Sequence, residues 1–281
     1  MVPSAEYASK LTSRSGVVQD GTYVDFHEPV VNQTGQATKV DVIVGVNRDE
    51  VGVQVPVYPP DGVSFADFFS AVISGPLGLS IDKALLDKLN VSSLTTPAQI
   101  FNASLQIATD GAFTCLNLAK SYSAAKHGAW KSVYFYEFNR TYGTGGYTQP
   151  WCDAPKTADH PNGDPSLEYF KCHGAEQMVV FGTELRAGHP DRDGLDVPFM
   201  QLVIDYWTAF ARKGNPNPDR SYLLARGRGS TLVQLDAVSK WEPVKADKPT
   251  LRVLQWNGVQ IPFPEQDVCN ALGIGLDSLE A

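Results

Sequence analysis

Two short strings carry residues able to do acid–base chemistry: G-V-N-R-D-E, from Gly45 to Glu50, and K-C-H-G-A-E, from Lys171 to Glu176. A carboxylate that accepts from one ring N–H of an imidazole fixes its tautomer and stabilises the imidazolium. The other ring nitrogen can then take the proton of a serine hydroxyl. Glu50 and His173 therefore offer two of the three parts of a nucleophilic triad. The third part is not found, because no G-x-S-x-G occurs in the chain. Each residue also has a plainer reading, Glu50 as a solvated loop carboxylate and His173 as a satisfied structural histidine. Glu176 lies one turn beyond His173 and raises the question of a metal pair. It lacks a third ligand, so a buried ion-pair or hydrogen-bond role beside His173 is the better reading. Asp110 reads as a helix cap, with support of the same site as its alternative.

Other features carry less. Phe65, Phe68 and Phe69 keep helical spacing and read as core, although their place after the Glu50 loop would also suit a substrate pocket. Gly143 to Gly146 (G-T-G-G) match no phosphate loop. Pro190 to Asp196 (P-D-R-D-G-L-D) have their glycine at the wrong offset for a calcium loop. His27, His127, His160 and His189 lie in polar loops and at element ends, and no role is assigned to them.

The elements that must position Glu50 and His173 are legible in part. Residues 40–46 (VDVIVGV) and 132–138 (SVYFYEF) are apolar, β-branched or aromatic runs that predict buried strands, and 250–256 predicts another. Ser64 caps an expected helix. Thr96-Pro97 starts another, which is expected to break at Asp110-Gly111 with Asp110 capping its successor. Further helices are expected at 81–89, 174–182, 197–212 (ending at Lys213-Gly214) and 265–272. A long Gly-, Pro- and Asp-rich loop covers 139–171. Strands alternating with helices give an α/β class in one domain, with a sheet that looks incomplete for this length. Both Glu50 and His173 follow strands, on the side where α/β sheets bind ligands.

Six strings in this order resemble the type-B carboxylesterases, which include cholinesterases and fungal lipases: V-V-Q-D-G (Val17 to Gly21), N-R-D-E, T-D-G-A-F-T-C (Thr109 to Cys115), V-Y-F-Y-E-F (Val133 to Phe138), C-H-G-A-E…F-G, and D-Y-W-T-A-F-A-R-K-G-N-P-N-P (Asp205 to Pro218). H-P-N-G-D-P (His160 to Pro165) gives the resemblance a fungal flavour. It implies an α/β-hydrolase fold and a serine ester hydrolase with Glu50 as triad acid, His173 as triad base, and no cofactor or metal. The family's nucleophile elbow and oxyanion loop lie earlier, so residues 1–281 would be the C-terminal part of one such domain, inactive alone. Val51 stands where the family usually has glycine. A non-catalytic, cholinesterase-like binding protein is the alternative, since the fold has adhesion relatives.

The bulk numbers bound the rest. With 281 residues, 43% hydrophobic, and a formal charge of -8, the chain is ordinary globular protein whose acidity disfavours nucleic acid and anionic membranes. No apolar run approaches the roughly 20 residues of a membrane span. The four cysteines, Cys115, Cys152, Cys172 and Cys269, form no C-x-x-C and permit three pairings. The resemblance suggests Cys115–Cys269, and the ends of the long loop suggest Cys152–Cys172. Four N-x-S/T sequons, at Asn32, Asn90, Asn102 and Asn139, together with paired cysteines point to the secretory pathway. The first residues have no apolar stretch to act as a signal, so a segment preceding Met1 is expected. The expected partner is a small-molecule or lipid ester, and an incomplete sheet would favour self-association.

Overall fold

The computed structural model describes residues 38–74, 83–143 and 150–279. The Val17–Gly21 string, His27, Asn32 and all but the first residue of G-T-G-G lie outside them. Strand β1 (Asp41–Asn47), β2 (Ser132–Phe138), β3 (Thr250–Leu254) and β4 (Gln260–Pro262) form one sheet in the order β1-β2-β3-β4. The first three strands run parallel, and β4 returns antiparallel to β3. β2 is the central parallel strand and carries apolar residues on both faces, as a sheet covered on both sides requires.

Helices cover those faces. Between β1 and β2 come α1 (Phe65–Phe69), α2 (Lys83–Lys88), α3 (Pro97–Thr109) and α4 (Cys115–His127). Leu118 and Ala124 of α4 pack on Val133, Phe135, Leu251 and Val253. Between β2 and β3 come α5 (Gln177–Val180), α6 (Asp196–Lys213), α7 (Arg220–Ala225) and α8 (Gly229–Ala237), and α9 (Gln266–Ala271) follows β4. Phe199, Leu202, Val203 and Tyr206 of α6 pack on the opposite face, against Tyr134, Phe138 and Leu254. The result is a three-layer α/β/α arrangement. A third apolar cluster joins Phe65, Phe68 and Phe69 to Ile100 and Leu105 of α3, so the phenylalanines are core.

Local signals explain most boundaries. The Ser64 hydroxyl accepts from the Asp67 N–H at 3.1 Å. Thr96 and Gln99 form a capping box ahead of Pro97. Gly214 ends α6 in the left-handed region at φ 68°, open to glycine without strain.

Two expectations are corrected. Asp110 caps nothing: it is itself helical (φ -62°, ψ -47°), and its N–H still bonds the carbonyls of Gln106 and Ile107. A single wider turn, Asp110–Thr114, carries α3 into α4, so the chain does not break at Asp110-Gly111. The expected helix at 174–182 shrinks to the four residues of α5, because Gly174 (φ 73°) and Gly182 (φ 67°) turn left-handed at its two ends. α7, α8 and β4 were not anticipated. Disulfides join Cys115 to Cys269 and Cys152 to Cys172, the two expected pairings.

Candidate active site

Glu50 opens a tight turn, Glu50–Val53, three residues beyond the end of β1. That turn is held from several directions. The Val51 N–H donates to Thr109 Oγ1 of α3 at 3.2 Å, and Trp151 Nε1 donates to the Gly52 carbonyl at 2.9 Å. The Arg48 N–H reaches the Phe138 carbonyl at the end of β2, at 3.2 Å. Asp49 and Lys171 grip each other twice. The Asp49 N–H donates to the Lys171 carbonyl at 3.0 Å, and the Lys171 N–H donates to Asp49 Oδ2 at 2.8 Å. A Cβ on Gly52 would sit 2.6 Å from Cys172 Sγ, so glycine lets the Cys152–Cys172 bridge pack onto the turn.

This scaffold brings Glu50 and His173 together. Nδ1 of His173 lies 2.6 Å from Oε2 of Glu50, across 123 positions of sequence. The other Glu50 oxygen, Oε1, accepts from the Asn47 N–H at 2.7 Å. Glu50 is buried while the His173 side chain is 47% exposed, so a fixed carboxylate holds a ring that solvent can reach. The Phe113 ring packs 5.4 Å from the imidazole, centre to centre. The hydrogen bond from Glu50 raises the His173 pKa above the ordinary imidazole value against the opposing effect of burial, with the charges of Glu50 and Glu176 adding to the rise.

Glu176 is half-buried rather than buried, and its Oε2 accepts from Nδ2 of Asn47, next to Glu50. Asp110 is fully buried, and Gln106 Nε2 donates to it at 3.2 Å. Desolvation, with the nearby charge of Glu265, pushes its carboxyl up to about 7. Glu137 behaves alike, raised to about 7 by burial. Asn47 was missed in the sequence, although its place in N-R-D-E marked it.

A second imidazole–carboxylate pair was also missed. His189 Nδ1 lies 2.5 Å from Glu184 Oε2, and the His189 ring stacks on Tyr142 at 4.9 Å. Arg192 covers the same Tyr142 ring at 3.9 Å and pairs with Asp196 at 2.8 Å. Arg140 bridges Asp196 and Asp193. Asp191, Asp193 and Asp196 converge within 4.8 Å, and the guanidiniums of Arg140 and Arg192 pair with two of them, Asp193 and Asp196. Burial pushes Glu184 up, whereas Asp196 is held far below the carboxylate range by hydrogen bonds and charge from Arg192, which outweigh its burial.

Of the sequons, Asn90 and Asn102 are exposed. Asn139 is half-buried, with Nδ2 donating to Gln255 Oε1 at 3.2 Å and Oδ1 accepting from Arg48 at 3.3 Å. Arg48, Trp151, Lys156 and Tyr169 are among the residues around an open cavity of about 610 Å³. No helix among the described residues is long and apolar enough to cross a membrane.

A mostly parallel sheet between two helical layers, with chemistry-bearing loops at the carboxyl ends of its strands, is the layout of an α/β hydrolase. The sequence model of the Carboxylesterase family matches residues 5–261, and the chain belongs to that family. Membership implies a carboxylic-ester hydrolase by family. A search of curated proteins finds no match.

Proposed function

We propose that this chain supplies the acid, Glu50, and the base, His173, of a serine esterase triad. The observation that carries the reading is the 2.6 Å contact between His173 Nδ1 and a carboxylate whose other oxygen is occupied by the Asn47 N–H. Nε2 of His173 takes the proton of a serine hydroxyl as that oxygen attacks the ester carbonyl. His173 then returns the proton to the leaving alkoxide, and water repeats the cycle on the acyl-enzyme. No cofactor or metal enters these steps. Glu176 and Asp110 act behind the pair rather than on substrate.

The serine and the oxyanion donors come from residues outside this chain, which is the C-terminal part of one hydrolase domain. Two disulfides and the exposed Asn90 and Asn102 support a secreted, glycosylated setting. β1 has a partner on one side only among the described residues, and that edge supports self-association of the isolated chain.

Purified residues 1–281 are expected to take no label from a fluorophosphonate serine probe. They should also hydrolyse p-nitrophenyl esters no faster than a His173→Ala control. Stoichiometric labelling of one serine, lost in Glu50→Gln and His173→Ala, would overturn the assignment of the nucleophile to another segment. Full-length enzyme carrying G-x-S-x-G should lose at least about 10³-fold in kcat with His173→Ala.

A further inference from the structure

Asn47 ends β1 and is 1% exposed, directly beneath the Glu50–His173 contact. Its two nitrogens serve different carboxylates. The backbone N–H donates to Glu50 Oε1 at 2.7 Å, and the side-chain Nδ2 donates to Glu176 Oε2. An ionised carboxylate only accepts, so the amide has a single workable orientation, with Nδ2 toward Glu176. That orientation leaves Asn47 Oδ1 buried with no hydrogen-bond partner among the described residues. An unsatisfied buried acceptor is costly, and an apolar side chain of the same size would avoid it. Packing alone therefore does not account for an amide here.

Tyr136, on the neighbouring strand, lies close to the same arrangement. Its ring lies over Gly45, where a Cβ would come within 2.4 Å of it. Burial raises its phenol well above the usual value, and Glu176 and Glu50 both add to that rise. Two carboxylates thus converge on one region, and Asn47 is the residue that hydrogen-bonds to both.

Resting on the triad reading, we propose that Asn47 is a positioning residue for His173. It holds Glu50 and Glu176 in one frame, so that the imidazole feels both negative charges at fixed distance. Among the described residues, Glu50 and Glu176 both act on this ring through their charge, and Phe113 packs beside it. Breaking the Asn47–Glu176 bond releases Glu176 toward solvent while leaving the backbone bond to Glu50 in place.

The test is an NMR titration of ¹⁵N-histidine-labelled chain, reading the His173 midpoint. Asn47→Leu and Glu176→Gln should each move that midpoint to lower pH. The double variant should move it no further than the larger single, because both act through one carboxylate. If Asn47→Leu does not fold, Asn47→Ser removes the reach to Glu176 with less change in polarity and should give the same shift. Unmoved midpoints in the Asn47 variants, or shifts that add fully in the double variant, would overturn the proposal. A midpoint unmoved by Glu50→Gln would instead overturn the Glu50–His173 pair on which it rests.

Discussion

Two imidazole–carboxylate pairs of nearly equal length sit in one molecule, at 2.6 Å for His173–Glu50 and 2.5 Å for His189–Glu184. Their surroundings separate them. Glu50 belongs to a turn beyond a central-sheet strand, and its oxygens meet one backbone N–H and one imidazole. Glu184 lies five positions from its histidine, beside Arg192, Asp196 and a stacked tyrosine. The His173 side chain is 47% exposed and that of His189 28%. A short contact alone thus says little about chemistry. Access for a reactant and a carboxylate placed by a distant strand are what set the first pair apart. The second belongs to a network that joins the 140–142 segment to the start of α6.

The comparison predicts that the second region carries stability and the first carries chemistry. The largest effect is expected at Asp196, which binds Arg192, Arg140 and the Tyr142 hydroxyl. Asp196→Ala leaves the buried Arg192 guanidinium without its carboxylate and Arg140 with Asp193 alone, and should cost about 3–5 kcal/mol in urea denaturation. Because its folded pKa is depressed, the native contribution is present above the ordinary aspartate value and fades as pH falls toward the folded one. A loss below about 1 kcal/mol would remove the contrast.

Next is the bridge beside His173. Replacing Cys152 and Cys172 by serine opens a closure of 20 positions and should cost about 3 kcal/mol. It should also broaden the His173 resonances while leaving those of His189 unchanged. Equal broadening of both would show that the two regions are not independent.

The smallest effect on stability is expected at Glu50→Gln, below about 1 kcal/mol near pH 8, since the glutamine oxygen still accepts from Asn47. The deficit should grow toward about pH 5. The raised His173 pKa means that the pair stabilises the fold below the unfolded imidazole value and loses that contribution as pH rises through the folded one. Thermal melts at the two pH values measure it, and a deficit that grows with pH would have the wrong sign.

Legibility in the sequence follows the range of the forces involved. Thr96-Pro97 and Lys213-Gly214 mark helix ends through local hydrogen bonds and φ preferences, and both mark real ends. The runs at 41–47 and 132–138 are strands because both faces of the sheet are covered. Asp110 misleads because aspartate favours caps in isolation, whereas here Gln106 and burial hold it within a continuing helix. β4 has three residues, too few for an alternating pattern. Nothing local links Glu50 to His173; their residue types and their places after strands suggest the pair, and the family resemblance strengthens it. The Tyr142–His189–Arg192 stack left no such trace, since its members meet through loop packing.

The Cys152–Cys172 bridge has a consequence for how this segment tolerates change over generations. It closes residues 153–171 into a ring whose join abuts Gly52, while Asp49 and Lys171 clasp the same point. Residues added to the far side of that ring lengthen a loop already closed, and each doubling costs only about 0.6 kcal/mol. Insertions and deletions there leave the spacing of Glu50 and His173 untouched. The ring can diversify in length and composition while the two residues it anchors keep their distance.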